Sequence, residues 1–168
     1  MSFRIFVSGP PGVGKTTLVK NVAKVLGDEV GGFYTEEVRS GGRRVGFVVV
    51  DVSTGERTWL AKEGLPGPRV GRYGVNVDAS SLIFKALGRG EEKRICVVDE
   101  IGPMEMRIPG FMDAVRPVLE RGNVIATVHR SLFERFWSVY HSHRFWLTRE
   151  NRDKVYQQVL SIIRGLQG

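Results

Sequence analysis

Short apolar runs alternate along this chain with stretches whose apolar positions recur every three or four residues. Residues 3–8 form the first run and read as a buried strand, because a strand covered on both faces loses its polar alternation. Leu18, Val19, Val22, Ala23, Val25 and Leu26 then make one stripe at helical spacing, with Lys20, Asn21 and Lys24 outside it and Gly27 as a stop. Residues 32–39 and 45–52 read as strands joined by a Gly41-Gly42 hairpin turn, and residues 57–60 follow a further turn as a third strand. That pattern predicts a β-meander. Residues 63–74 are rich in Gly and Pro and read as a loop. Asp78 is placed to cap a helix running to about Leu87, with residues 88–92 as the turn after it.

The second half repeats the alternation. Residues 95–98 are a wholly apolar run ending in Asp99-Glu100, followed by a loop over 101–109. A helix over 111–120 turns Phe111, Val115, Val118 and Leu119 inward, Gly122 ends it, and residues 124–128 form another buried strand. Ser131-Leu132-Phe133-Glu134 has the spacing of a capping box and opens a short helix to about Tyr140. Residues 143–147 make a last strand. Thr148 caps a final helix whose stripe is Val155, Tyr156, Val159, Leu160, Ile162 and Ile163. Strands alternating with helices predict an α/β fold of three layers: a mostly parallel sheet between helices, with an antiparallel hairpin extension from about Gly32 to Leu60.

The length of 168 residues suits one domain over residues 1–168. Cys96 is the only cysteine, so no intramolecular disulfide is possible, and its apolar neighbours make it a buried small hydrophobe. No apolar run reaches membrane length and no signal-peptide pattern opens the chain, which leads us to expect a cytoplasmic protein without membrane partners. The net charge of +7 makes anionic partners plausible. The charge is spread, with a short cluster at residues 39–44, and lacks the basic stripe with interleaved aromatics of a nucleic-acid platform. Nucleic acid is therefore possible but not favoured. His141 and His143 have no Cys or carboxylate cluster beside them, so a zinc site is not expected.

The chemistry is concentrated in two places. Gly9, Pro10, Pro11, Gly12, Val13, Gly14, Lys15, Thr16 and Thr17 fit G-x-x-x-x-G-K-[ST], set between a strand and a helix. Backbone N–H groups and the helix N-terminus there make an anion site. This predicts a nucleotide-binding loop, with Lys15 on the β- and γ-phosphates and the Thr16 hydroxyl on Mg²⁺. Asp99, at the C-terminal end of a buried strand, is expected to hold Mg²⁺, mainly through water. Glu100 is one residue on and points elsewhere, placed to orient or deprotonate a water attacking the γ-phosphate. Thr127, at the end of the next strand, is the candidate γ-phosphate sensor, whereas His129 reads as structural. Glu105 reads as an acid behind the site or on the surface. Arg39, Arg72, Arg130 and Arg152 are candidates for stabilising developing charge, and the 63–74 loop is either a solvated connection or a segment over the nucleotide.

Taken together, residues 9–17, 32–39, 44–47, 69–73, 99–105 and 150–152 resemble the small THEP-type nucleoside-triphosphatases, which include a cancer-related human member. The resemblance covers nearly the whole chain. It implies an α/β P-loop NTPase fold and Mg²⁺-dependent hydrolysis of ATP, GTP and other nucleoside triphosphates, with broad base preference. It also implies that residues 36–39 and Asn151-Arg152 matter at or near the site. Position 103, often lysine in related sequences, is Pro103 here. Two alternatives remain. A nucleoside or nucleotide kinase would share Lys15, Thr16 and Asp99, but a hairpin stands where its helical acceptor region would follow the first helix. A nucleotide-dependent switch associated with nucleic acid would use hydrolysis as a timer.

Overall fold

Strand β1 (Arg4–Ser8) sends Ile5 and Val7 to one face of the sheet and Phe6 to the other, and all three are fully buried. The same division runs through β7 (Ile95–Ile101), where Ile95 and Val97 oppose Cys96 and Val98. Helices must therefore cover both faces. On one, α1 (Lys15–Leu26) buries Leu18, Val19 and Val22 beside Val155 and Val159 of α5 (Arg152–Ile163). On the other, α2 (Ser80–Glu92) and α3 (Phe111–Arg121) bring Ile83, Leu87, Phe111 and Val115 against Phe6, Phe33 and Val98. The computed structural model describes residues 2–137 and 139–165. Among these, no helix is long and apolar enough to cross a membrane.

The remaining strands are β2 (Val30–Ser40), β3 (Arg43–Asp51), β4 (Arg57–Glu63), β5 (Arg69–Val70), β6 (Tyr73–Val75), β8 (Val124–Val128) and β9 (His143–Trp146). They join β1 and β7 in one nine-stranded sheet of order β5-β6-β4-β3-β2-β7-β8-β1-β9. The run β2-β7-β8-β1-β9 is parallel and the run β5-β6-β4-β3-β2 is antiparallel. The sheet is thus half antiparallel rather than mostly parallel, because the meander continues two strands beyond the expected hairpin. Strand β2 is the join. Residues 30–33 pair with β7, and residues 33–40 run on to pair with β3.

Four local expectations are corrected. The segment 63–74 is not wholly loop, since β5 forms within it and β6 starts in it, and Tyr73 and Val75 bury their side chains. Helix α2 does not stop near Leu87 but runs through residues 88–92. Its last turn carries Arg89 onto the buried Asp51 carboxylate at 2.5 Å. Gly90 lies there because the helix meets the sheet closely, and a Cβ on it would overlap the Cys96 sulfur. Asp78 does not cap α2, which starts from Ala79 without a side-chain cap; the Asn76 side chain instead accepts the Asp78 N–H at 3.2 Å and caps a short 3-10 turn over Val77–Ala79 that leads into α2. The Ser131 capping box is absent as well: the Ser131 N–H donates to His129 Nδ1 at 3.2 Å, and α4 (Phe133–Trp137) starts two residues later. The expected continuation of α4 to 140 includes Ser138, which is outside the described residues.

Candidate active site

The loop between β1 and α1 turns with Gly14 in the left-handed region, at φ 109°, where an L side chain would be strained. Here the Lys15 ammonium donates to the Gly9 carbonyl at 2.8 Å, bridging the loop's own ends. Its Nζ also stands 3.9 Å from Glu100 Oε2. The loop and the end of β7 therefore face one cleft of about 620 Å³. Gly12, Gly14, Lys15, Thr16 and Thr17 line one side, and Asp99, Glu100 and Glu105 lie across from them.

Asp99 is almost fully buried and surrounded by donors. Oδ2 accepts from the Thr16 hydroxyl at 2.8 Å and from the Thr35 N–H at 3.2 Å, while Oδ1 accepts from the Thr127 hydroxyl at 2.5 Å. The Thr35 hydroxyl donates to the Asp99 carbonyl at 2.7 Å. Burial pushes the Asp99 carboxyl above its ordinary range, and Thr127, Thr16, Thr35 and the Lys15 charge oppose that shift. The candidate sensor Thr127 is itself fully buried and meets Asp99 rather than the open cleft.

The Asp99–Glu100 peptide bond is cis. Pairing of β7 with β8 shifts register between Val98 and Ile101, so strict strand alternation does not carry through the two acids. Both line the same cleft, Asp99 bonded to Thr16, Thr35 and Thr127 and Glu100 standing near Lys15. Burial first, then the Asp99 charge, raises Glu100 to about 7, against the pull of Lys15. Behind it lies Glu105, 3% exposed and raised well above the carboxylate range by burial and by Glu100. Gly102 sits against both: a Cβ there would be 2.9 Å from Glu100 Oε1 and 3.1 Å from Glu105 Oε1. Three carboxyl groups thus share a poorly hydrated floor beside one ammonium.

The candidate arginines separate in space. Arg39 and Arg72 are held on the outer hairpin surface. Arg39 bonds Gly42 O and Glu37, and Arg72 bonds Arg44 O. Arg130 is exposed beside His129. Arg152 lies over the loop, where a Cβ at Gly14 would be 3.3 Å from its Cδ and 3.6 Å from its Nη1. Among the described residues, the arginine that lines the cleft is Arg44, which single-residue reasoning missed. Its guanidinium donates to the Tyr73 hydroxyl at 2.9 Å and lies 5.1 Å from the Phe47 ring centroid. His129 lines the cleft too, and burial, then Lys15 and Arg130, lowers its pKa and favours the neutral ring. No feature of residues 44 or 129 taken alone signals this, because the folded hairpin and the end of β8 bring them in.

A phosphate loop facing an acid-tipped strand of the same α/β sheet defines a P-loop nucleotide-binding protein. Comparison with known families narrows the class: the chain belongs to the family described as NTPase, which matches residues 4–160. It is 42% identical to nucleoside-triphosphatase THEP1 of Pyrococcus abyssi, over 98% of this chain and 94% of that protein. The crystal structure of THEP1 from the hyperthermophile Aquifex aeolicus superposes with a TM-score of 0.87 at 33% identity, covering 96% of this chain and 99% of that one. The solution structure of a human cancer-related nucleoside triphosphatase gives 0.80 at 35% identity, covering 99% and 100%. The resemblance carried by the motifs is borne out.

Proposed function

We propose that the protein hydrolyses nucleoside triphosphates to the diphosphate and phosphate, in a Mg²⁺-dependent reaction with broad base preference. The observation that carries this reading is the meeting of Lys15, Thr16, Asp99 and Glu100 in one cleft. The donor set suits magnesium. Thr16 and Asp99 offer hard oxygens 2.8 Å apart, and among the described residues no group of three or more His, Cys, Asp or Glu would hold a softer ion. Thr16 and Asp99 would hold Mg²⁺, which when bound neutralises charge on the phosphate oxygens.

The chain's own groups do the rest. Loop N–H groups and the start of α1 grip the phosphates. Lys15 exchanges the Gly9 carbonyl for the β- and γ-phosphate oxygens. Glu100, raised toward neutrality by burial, accepts the proton of a water as its oxygen bonds to γ-phosphorus and the bond to the bridging oxygen breaks. Arg152, over Gly14, is placed to meet the nucleotide on the loop side. Broad base preference is consistent with a grip made of backbone and lysine, which recognises phosphate and not base. Phosphate release from a panel of nucleoside triphosphates tests this. ATP and GTP should both be hydrolysed and EDTA should stop both; hydrolysis confined to one base, or untouched by EDTA, would contradict it.

A further inference from the structure

Arg44 lines the cleft beyond the end of β7. Sheet order gives this its meaning. The phosphate loop follows β1, β7 carries Asp99 and Glu100, and β2 and β3 lie successively beyond β7, on the side away from β1. A phosphate chain gripped at the loop and presented to Glu100 therefore runs toward β2 and β3, with the γ-phosphoryl group leading. Strand β2 sets the remaining span. The Thr35 N–H donates to Asp99 Oδ2 at 3.2 Å, and Glu37 accepts from Arg44 Nη1 at 3.3 Å. Two residues of strand share a face and span about 7 Å, a gap that an arginine side chain can cross by changing rotamer.

The guanidinium is backed on one side and loosely held on the other. Its Nε donates to the Tyr73 hydroxyl at 2.9 Å, and the Phe47 and Tyr73 ring centroids lie 5.1 and 5.7 Å from its central carbon. Its Nη1 shares Glu37 with Arg39, both at 3.3 Å, and Nη2 has no hydrogen-bond partner among the described residues. Glu36 is shared in the same way, by Lys20 at 2.8 Å and Arg57 at 3.1 Å. Four cations on two carboxylates leave this wall with two positive charges over. Partly exposed ion pairs of this kind cost little to exchange.

We propose that Arg44 is a catalytic residue of the hydrolysis, meeting the γ-phosphoryl oxygens through Nη1 and Nη2. This rests on the reading that the triphosphate occupies the loop and is cleaved there. The water oxygen bonds to γ-phosphorus, the water proton passes to Glu100, and the diphosphate leaves with the electron pair of the broken bond to the bridging oxygen. Lys15 serves the γ-phosphoryl group from the loop side, and Arg44 serves it from β3. Its planar fork of donors matches phosphoryl oxygens in a way that an ammonium does not. Glu37 gives up one of its two arginines and keeps Arg39. A diphosphate has no γ group, so it lacks this contact.

The test measures phosphate release from ATP with Mg²⁺, ADP affinity by calorimetry and the thermal midpoint, for the wild type, Arg44→Ala, Arg44→Lys and Tyr73→Phe. Arg44→Ala should lower kcat about 10³-fold and leave ADP affinity in place. Arg44→Lys keeps the charge and the stem, so it covers a folding failure of the alanine variant, and it should still lose about tenfold or more. Tyr73→Phe removes the tether but keeps the guanidinium, and should retain most of kcat. Wild-type kcat in either Arg44 variant would overturn the assignment and leave the hydrolase standing. A loss that Tyr73→Phe reproduces, or that ADP affinity follows, would make Arg44 a strut between β3 and β6 and overturn it too. No phosphate release by the wild type would overturn the hydrolase reading and this role with it.

Discussion

The Thr16 hydroxyl donates to Asp99 Oδ2 at 2.8 Å across a separation of 83 residues. This bond ties the start of α1 to the end of β7. Asp99 is seated by the loop, by β2 through Thr35 and by β8 through Thr127. Thr127→Val keeps the shape and removes one donor from a buried carboxylate oxygen. We expect a loss of about 1–3 kcal/mol in stability, read as a lower urea midpoint, together with a higher Mg²⁺ requirement for phosphate release. An unchanged midpoint would mean that the Thr127 bond contributes nothing.

Glu100→Gln keeps the size of the side chain and removes its capacity to take a proton. Phosphate release should fall about 10²- to 10⁴-fold. Nucleotide affinity, measured by calorimetry, should hold or tighten, because a negative charge facing the phosphates is gone. Release at the wild-type rate would remove Glu100 from the role of base.

Arg152→Ala should raise the KM for ATP more than it lowers kcat, since the side chain lies over Gly14 at the loop and away from the far wall of the cleft. Arg39→Ala serves as the comparison. Arg39 is an exposed residue bonded to Glu37 and Gly42, and exposed pairs of that kind contribute about 0–1 kcal/mol. Steady-state kinetics on the two variants should separate them, and equal KM values would contradict the placement of Arg152.

Burial pushes the Cys96 thiol from 9.0 up to about 12. The folded state therefore favours the protonated thiol. This contribution to stability is complete below pH 9 and is lost as the pH rises from 9 toward 12, with a full size on the order of 4 kcal/mol. Cys96→Ala should flatten the fall of the unfolding free energy over that alkaline window. A thiol reagent at pH 8 should label the unfolded chain and spare the folded one. Fast labelling of the native protein would refute the burial.

The phosphate loop and Asp99-Glu100 were legible in the sequence because their chemistry is local: a strand, a glycine turn and a helix start adjoin in the chain. The helices α1, α3 and α5 were legible for a similar reason, since a stripe records its own buried face. Gly88 and Gly90 misled, because a glycine that ends a helix and one that lets a helix approach a sheet look alike until the strand beneath is known. The burial of Glu105 was hidden between Met104 and Met106, where no periodicity says which side chain turns in. Arg44 reaches the cleft through pairing of β2 with β3 and a bond to Tyr73, 29 residues away. Thr127 was picked out as a polar strand end, but its partner was set by three-dimensional neighbours.

Strand β2 is 11 residues long, and about its first four pair with β7 before the rest overhangs to carry the meander. The groups proposed to grip phosphate and metal sit on β1, α1 and β7, whereas the far wall of the cleft rests on strands hung from that overhang. Substitutions in β3, β4 and β5 can therefore accumulate without disturbing the grip. Lineages that diverge in this half would keep the same phosphate grip while reshaping the far wall of the cleft, which makes the meander the region where descendants of a common ancestor are expected to part ways.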